Sequence, residues 1–133
     1  MDTNIYLDYF LDRKNEFGKP LGPIAWGVFK RAINCEFSIV VSDWLAWQLD
    51  KNMGSSQLTV LFTLLDSKRK IIRVKRMEDD VQQAKKYAVS NDIDDPLHAV
   101  LAKKGGAVCV VTRDLEGYVC CKSLIEAKLP ENL

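Results

Sequence analysis

Four carboxylates, three of them at the ends of predicted helices or strands, could together hold a divalent cation. Asp95 comes directly before Pro96 at the start of a predicted helix, Asp114 follows a predicted buried strand, and Glu116 lies two residues further on. Asp2 stands at the opening of the first predicted helix. Hard cations such as Mg²⁺ and Mn²⁺ take oxygen ligands, and one or two carboxylates with water and substrate phosphates are sufficient. The sequence therefore offers the ligands for metal-assisted chemistry.

Each of these acids also has a simpler explanation. Asp followed by Pro is the usual N-cap and N1 pair of a helix, so Asp95 could be only a cap. Asp2 could be only the cap of the first helix, and Asp114 a turn residue after a strand. Taken together, the acids favour a shared site, and Asp94 is interpreted as their solvated neighbour.

The residues that would favour zinc or a catalytic thiol are poorly placed. The four cysteines have no CxxC spacing, and His98 is the only histidine. We therefore expect reduced thiols that pack as small apolar groups, and no zinc site. His98 follows Leu97 on a helix expected to pack on the sheet, so we interpret it as a packed or hydrogen-bonded side chain.

The periodicity of apolar residues predicts an alternation of helices and strands. The predicted helices cover residues 1–14, 24–35, 42–54, 56–68, 78–90 and 96–106. The predicted strands cover residues 36–42, 71–74 and 107–112, with a weaker strand around 124–127. A Ser or Asp cap at Ser42 or Asp43 and glycines at Gly54 and Gly105 mark three of the helix boundaries.

Helices between successive strands imply parallel pairing through crossover connections. We therefore predict an α/β protein with a three-layer α/β/α sandwich, a mostly parallel central sheet and a single domain over residues 1–133. The sequence begins its first helix at Asp2, without the apolar strand that usually opens such a fold. Ligands of open parallel sheets lie outside the carboxyl ends of the strands, which is where Asp114 stands.

Charge and hydropathy narrow the possible partners. The formal net charge of the 133 residues is +1, so attraction to nucleic acid must come from local clusters. Lysines and arginines are concentrated in residues 68–76, which we interpret as a solvated face, with a contribution to RNA binding as the alternative. Arg113 is the better candidate for a phosphate contact. Trp44 and Trp47, three residues apart, indicate core or a subunit interface rather than base stacking.

Localisation follows from what the sequence lacks. No apolar run approaches the roughly 18 residues of a membrane span, and the N-terminus has no basic segment followed by an apolar one. We therefore expect a cytoplasmic protein without membrane contact.

Three segments carry a resemblance to a known family. "DTNIYLDY" near the start, "DDPLHAVLAKKGGAVCVVTRDLEGY" and the closing "LPENL" resemble the PIN-domain nucleases over nearly the whole chain. The small single-domain layout is similar to VapC-type toxins, which are metal-dependent ribonucleases paired with an antitoxin. The resemblance implies a PIN-like domain that uses Mg²⁺ or Mn²⁺, acts on RNA, binds an antitoxin protein and forms a homodimer.

The resemblance also implies roles for individual residues. The implied metal-binding and catalytic acids are Asp2, Asp95 and Asp114, with Glu116 at an auxiliary metal position. The implied supporting residues are Asn4, Gln48 and Thr112. The family has a glutamate where this sequence has Gln48, and a neutral amide contributes no charge and cannot act as a base.

Three functions are compatible with these observations. The first is a metal-dependent ribonuclease, and the second is a PIN-fold protein with weakened catalysis that binds RNA or a protein. Gln48 supports the second. A phosphoacceptor regulatory domain would also use an acidic Mg²⁺ pocket, but it expects adjacent acids after the first strand, which "DTN" does not supply.

Overall fold

Helices and short strands alternate along the chain, which forms a mixed α/β fold. The computed structural model describes the backbone of residues 1–133 and every side chain except that of Ser55. The helices are α1 (Thr3–Phe10), α2 (Gly22–Ile33), α3 (Asp43–Met53), α4 (Ser55–Ser67), α5 (Glu78–Tyr87) and α6 (Asp94–Lys104). The strands are β1 (Ile39–Ser42), β2 (Ile71–Val74), β3 (Cys109–Val111) and β4 (Glu126–Lys128). Two 3₁₀ helices follow β3 and β4, at Glu116–Cys121 and Pro130–Asn132.

The strands form two separate parallel pairs. β1 pairs with β2, with Ile39 opposite Ile71, and β3 pairs with β4, with Cys109 opposite Glu126. The predicted parallel pairing is confirmed, but two two-stranded sheets replace the single central sheet that we expected. The backbone N–H of Asp2 donates to the carbonyl of Val111 at 2.9 Å, so the start of α1 lies against the last residue of β3.

The largest apolar cluster holds α1 to α4 around β1. Its fully buried side chains include Ile5, Tyr6, Phe29, Leu49 and Leu65. Two smaller clusters pack on α6, one with β3 and the 3₁₀ helix Glu116–Cys121, and one with α5. Helix α6 is therefore the element that both clusters share. Among the residues that the structure describes, no helix is both long and apolar enough to cross a membrane.

The helix boundaries near the predicted site follow local hydrogen bonding. Ser42 caps α3, because its Oγ accepts from the N–H of Leu45 at 3.0 Å. The alternative that Asp95 is only the N-cap of α6 does not apply, since the helix begins at Asp94. The carboxylate of Asp92 accepts from the N–H of Asp94 at 2.9 Å, and this turn starts the helix before the proline. Asp95 therefore lies in the first turn of α6.

Gly105 lets the end of α6 approach the first sheet. A methyl group at this position would lie 2.5 Å from Val40 Cγ1 and 2.9 Å from Val74 Cγ2. Such separations are far below ordinary carbon contacts. The glycine predicted to end α6 is therefore also required for packing between this helix and the β1–β2 pair.

Candidate functional site

Asp2 is held at the start of α1 by side chains from two elements. Its Oδ1 accepts from the N–H of Thr3 at 2.7 Å, and its Oδ2 accepts from Asn4 Nδ2 at 3.0 Å and from Thr112 Oγ1 at 2.7 Å. Thr112 Oγ1 in turn accepts from the N–H of Asp114 at 3.0 Å. A continuous hydrogen-bond network therefore connects the first turn of α1 with the carboxyl end of β3.

Asp95 and Asp114 face one small space above Gly117. A methyl group built on Gly117 would overlap Asp95 Oδ2 and would lie 2.9 Å from Asp114 Oδ2. Asp114 Oδ1 accepts from the N–H of Gly117 at 3.1 Å, which fixes the start of the 3₁₀ helix beneath the two acids. The absence of a side chain at position 117 leaves room for both carboxylates.

The electrostatics show that Asp2 belongs to the same cluster. The pKa of Asp95 is raised to about 6. Burial is the largest cause, and the negative charges of Asp2 and Asp114, then those of Asp92 and Asp94, contribute to the same shift. Carboxylates close to one another disfavour the charged form, and a nearby cation would remove this penalty. The structure thus brings together Asp2, Asp95 and Asp114, which are far apart in sequence.

Gln48 reaches the site from α3 through its carbonyl oxygen. Oε1 accepts from Thr3 Oγ1 at 3.0 Å and lies 2.6 Å from His98 Nε2. An amide oxygen only accepts, so this contact places the imidazole proton on Nε2. His98 is buried, and burial lowers its pKa to about 4. His98 is therefore a neutral, hydrogen-bonded side chain, as the sequence predicts.

Glu116 stands at the edge of the cluster. It lines a depression of about 360 Å³ together with Asp95, Gly117 and Val119. Its side chain is exposed, on the first residue of the 3₁₀ helix. Glu116 is thus near Asp95 and open to solvent, and its auxiliary role stays a prediction.

The guanidinium of Arg113 is paired with two acids of the protein. Its Nε donates to Asp8 Oδ2 at 2.7 Å, and its Nη1 donates to Glu131 Oε1 at 3.0 Å. Asp8 is 1% exposed, so this is a largely buried ion pair that ties α1 to the residue before Asp114. A phosphate contact by Arg113 stays a prediction, and the structure gives the residue a structural role as well.

The donor set fits a hard cation, although its geometry is incomplete. The described side chains include no group of three or more His, Cys, Asp or Glu positioned to hold a metal ion. Mg²⁺ is commonly bound by one or two carboxylates, with waters and substrate phosphates completing the shell. Asp95 and Asp114 meet that smaller requirement, because their oxygens face the same space. Asp2 lies close by, with both oxygens engaged in hydrogen bonds.

A buried tyrosine lies beside these acids. Burial raises the pKa of Tyr118 well above its ordinary value, and Asp2 and Asp95 add to the effect. The Tyr118 hydroxyl is close to Asp2 but makes no hydrogen bond of normal geometry within the part of the chain that the structure describes. Tyr118 therefore contributes a buried O–H next to Asp2 and stays protonated.

Sequence reasoning missed Gly117, Thr3 and Asp8. The spacing of Leu115, Glu116 and Gly117 carries no signal for a cavity, because the acids above Gly117 come from elements that are distant in sequence. Thr3 lay within the quoted "DTN" triplet, which was the available signal. Nothing in the sequence distinguishes Asp8 from the other polar residues of α1.

No protein-family model matches the chain, and no curated protein matches it either. The placement of the chain's own residues therefore carries the argument about its function. That placement is a cluster of three carboxylates, buried at Asp2, half-buried at Asp95 and exposed at Asp114. It lies at the carboxyl end of a parallel strand, which is where ligands of α/β proteins gather.

The raised pKa of Asp95 predicts a pH-dependent gain of stability in Asp95→Asn. Because the folded-state pKa lies above the unfolded one, charging Asp95 destabilises the fold at pH above about 6 and has no effect below about 4. Discounted for partial exposure, the gain is about 1 kcal/mol, or about 4 °C in Tm. Calorimetry at both ends of this range, without divalent cations, would measure it.

Asp79→Asn is the matched control. Asp79 is exposed and occupies the same second position of α5 that Asp95 occupies in α6, so both changes remove the same interaction with a helix N-terminus. Asp79→Asn should not raise the Tm at any pH. An Asp95→Asn protein that melts like Asp79→Asn would show that neither burial nor the neighbouring carboxylates destabilise the charged form of Asp95.

Proposed function

We propose that this chain is a metal-dependent ribonuclease that hydrolyses RNA phosphodiester bonds with Mg²⁺ or Mn²⁺. The proposal includes a PIN-like three-layer sandwich, similar to VapC-type toxins, in which the two parallel pairs form the middle layer. An antitoxin protein and a homodimer partner belong to the same proposal. The observation that carries it is the convergence of Asp95 and Asp114 on the space above Gly117, with Asp2 alongside.

The residues of the cluster have different proposed roles. Asp95 and Asp114 would hold the cation, and a bound cation would supply an activated water and polarise the phosphate. Asp2 adds negative charge from a fixed position, since Thr3, Asn4 and Thr112 hydrogen-bond its carboxylate. Glu116 offers a further oxygen ligand at the solvent side. Gly117 keeps the space above it open for the acids.

The placement of Gln48 supports a second function. Its Oε1 is engaged by Thr3 and His98, and it contributes no charge to the cluster. A neutral side chain here, together with only two carboxylates that face one space, favours a protein with weakened catalysis that binds RNA or a protein partner.

Cleavage of RNA tests the first function directly. The purified protein should degrade a mixture of structured and single-stranded RNA with Mn²⁺ and leave it intact with a chelator. A protein that is folded and cleaves neither class with Mn²⁺ would leave the binding function as the better one. Equal cleavage with and without the chelator would contradict metal dependence.

Mn²⁺ should also raise the melting temperature of the wild-type protein. The empty cluster is destabilised by its crowded charges, and a cation that binds only the native state stabilises it. At tenfold excess over Kd the gain is about 1.4 kcal/mol, or about 5 °C in Tm. Thermal denaturation with Mn²⁺ and with chelator measures the shift. Asp114→Asn should lose it, and an equal shift in this variant would place the cation elsewhere.

Gln48→Glu should raise cleavage at limiting Mn²⁺ by roughly tenfold. A glutamate oxygen can accept the same hydrogen bonds from Thr3 and His98 while it adds a negative charge beside Asp2. Initial rates over a Mn²⁺ titration measure the change. Gln83→Glu makes the same change on the exposed face of α5 and should leave the rate unchanged. Equal rates for the two variants would remove Gln48 from the site.

A further inference from the structure

Two stacked tryptophans on α3 form an exposed surface with basic residues. The rings of Trp44 and Trp47 are 5.0 Å apart and nearly parallel, at 18°. The guanidinium of Arg76 lies 5.0 Å above the ring of Trp44, and Lys51 Nζ lies 5.2 Å from that of Trp47. Trp47 is 53% exposed, so of the two predicted locations, core or subunit interface, the core does not apply to it. We call Trp44, Trp47, Lys51, Lys75 and Arg76 the aromatic–basic surface.

Two neighbouring depressions run along this surface. One, of about 350 Å³, is lined by Asp43, Trp44, Trp47 and Arg76. The other, of about 470 Å³, lies at the carboxyl ends of β1 and β2 and includes Asp43, Arg73 and Lys75. They share Asp43, so together they form one continuous concave path.

The charge of this path is mainly positive. Asp43 is its one acid among the described lining residues, and its Oδ1 already accepts from the backbone N–H groups of Trp44 and Arg76. Arg73 is paired with Asp66. Lys51, Lys75 and Arg76 make no ion pair among the side chains that the structure describes. Three cations are therefore available to phosphates.

The surface adjoins the carboxylate cluster through α3. Gln48, the residue after Trp47, accepts through its Oε1 from Thr3 Oγ1 at 3.0 Å. The backbone N–H of Thr3 in turn donates to Asp2 Oδ1 at 2.7 Å. A strand of RNA that crosses Trp47 thus leads to the acids that the proposed function uses.

We propose that the aromatic–basic surface binds single-stranded RNA and guides it to the carboxylate cluster, with a base stacked on Trp47. This inference rests on the proposed function and names its substrate as single-stranded. Bases of any sequence can stack on an aromatic face, and cations along the groove bind the backbone. Lys51 covers the outer face of Trp47 with a flexible side chain, and an entering base displaces it toward a phosphate.

Binding without cleavage tests the surface. Fluorescence anisotropy of a labelled oligouridylate of about 12 nucleotides, in a chelator, measures affinity while metal-dependent hydrolysis is off. Trp47→Ala should weaken binding by about tenfold, and Trp47→Phe should restore most of the affinity. Because Trp47 is half exposed, Trp47→Ala should remain folded, which circular dichroism checks.

Trp26→Ala is the matched control. Trp26 is 36% exposed and stacks on Tyr9 with ring centroids 5.4 Å apart, but it is on α2 and carries no cation above its ring among the described contacts. Its removal should leave the affinity for the oligonucleotide unchanged. An equal loss in both tryptophan variants would overturn the assignment to this surface.

Several outcomes separate this inference from the proposed function. Binding that depends on Trp47 in a protein that never cleaves would support the surface and reject the ribonuclease. A wild-type protein that does not bind the oligonucleotide, even at low salt, overturns the surface whether or not it cleaves RNA with Mn²⁺. A Trp47→Ala variant that binds RNA normally but changes from dimer to monomer in sedimentation would overturn it in favour of a subunit interface.

Discussion

Arg113→Ala should destabilise the fold by about 3 kcal/mol, or lower the Tm by about 10 °C. Asp8 is 1% exposed and accepts from Arg113 Nε at 2.7 Å, whereas its other cation, Arg13, is 3.6 Å away. Removing Arg113 leaves a buried carboxylate with only this distant partner, and an uncompensated buried charge is far more costly than a lost surface contact. Chemical denaturation followed by circular dichroism measures the change.

Arg73→Ala provides the comparison. Arg73 donates two hydrogen bonds of 2.7 Å to Asp66, which is better geometry than that of Arg113, but both side chains are exposed, at 61% and 43%. Exposed pairs contribute about 0–1 kcal/mol, so this variant should lose no more than that. Asp8→Asn added to Arg113→Ala should recover part of the stability, because it removes the unpaired charge. Equal losses in the two arginine variants would show that burial of Asp8 is not what matters.

The strands and helices that could be predicted are those with a local signal. Residues 71–74 consist of three β-branched residues and Arg73, between Lys70 and Lys75, and β2 occupies that range. Ser42 caps the start of α3 and Gly54 caps its end, as their residue types predict. The arrangement of strands into two pairs is not a local property. It depends on how α6 packs, with Gly105 against Val40 and Val74, and no run of residues reports that.

The sequence predicted which acids form the candidate site, but not which residues surround them. Asp2, Asp95 and Asp114 stand at element ends, which the sequence marks, and the structure places them in one cluster. The pairing of Arg113 with Asp8 was not predictable, because Asp8 lies 105 residues earlier in the chain. Trp47 was predicted to lie in the core or at a subunit interface, but Leu45 and Leu49 on the same helix are the residues that fill the core. Partners distant in sequence are what single-sequence reasoning lacks.

Asp114→Asn should lower Mn²⁺-dependent RNA cleavage by roughly 100-fold or more, because it removes one of the two charges that face the space where we propose that the cation binds. Gly117→Ala should lower it by roughly tenfold or more without touching a carboxylate, since the added methyl overlaps Asp95 Oδ2 and crowds Asp114 Oδ2 at 2.9 Å. The φ angle of Gly117 lies outside the left-handed region, so its backbone tolerates alanine. Initial rates and melting curves of both variants measure these effects.

Gly27→Ala separates crowding of the acids from a general effect of alanine. Gly27 is on α2, and a methyl there meets nothing within 4 Å, so cleavage should be unchanged. A folded Gly117→Ala protein that cleaves as fast as Gly27→Ala, while Asp114→Asn is inactive, would mean that Asp95 can move aside without loss and that Asp114 acts alone. Loss in both Gly117→Ala and Asp114→Asn, with Gly27→Ala fully active, would mean that the reaction requires both carboxylates in the space that Gly117 leaves open.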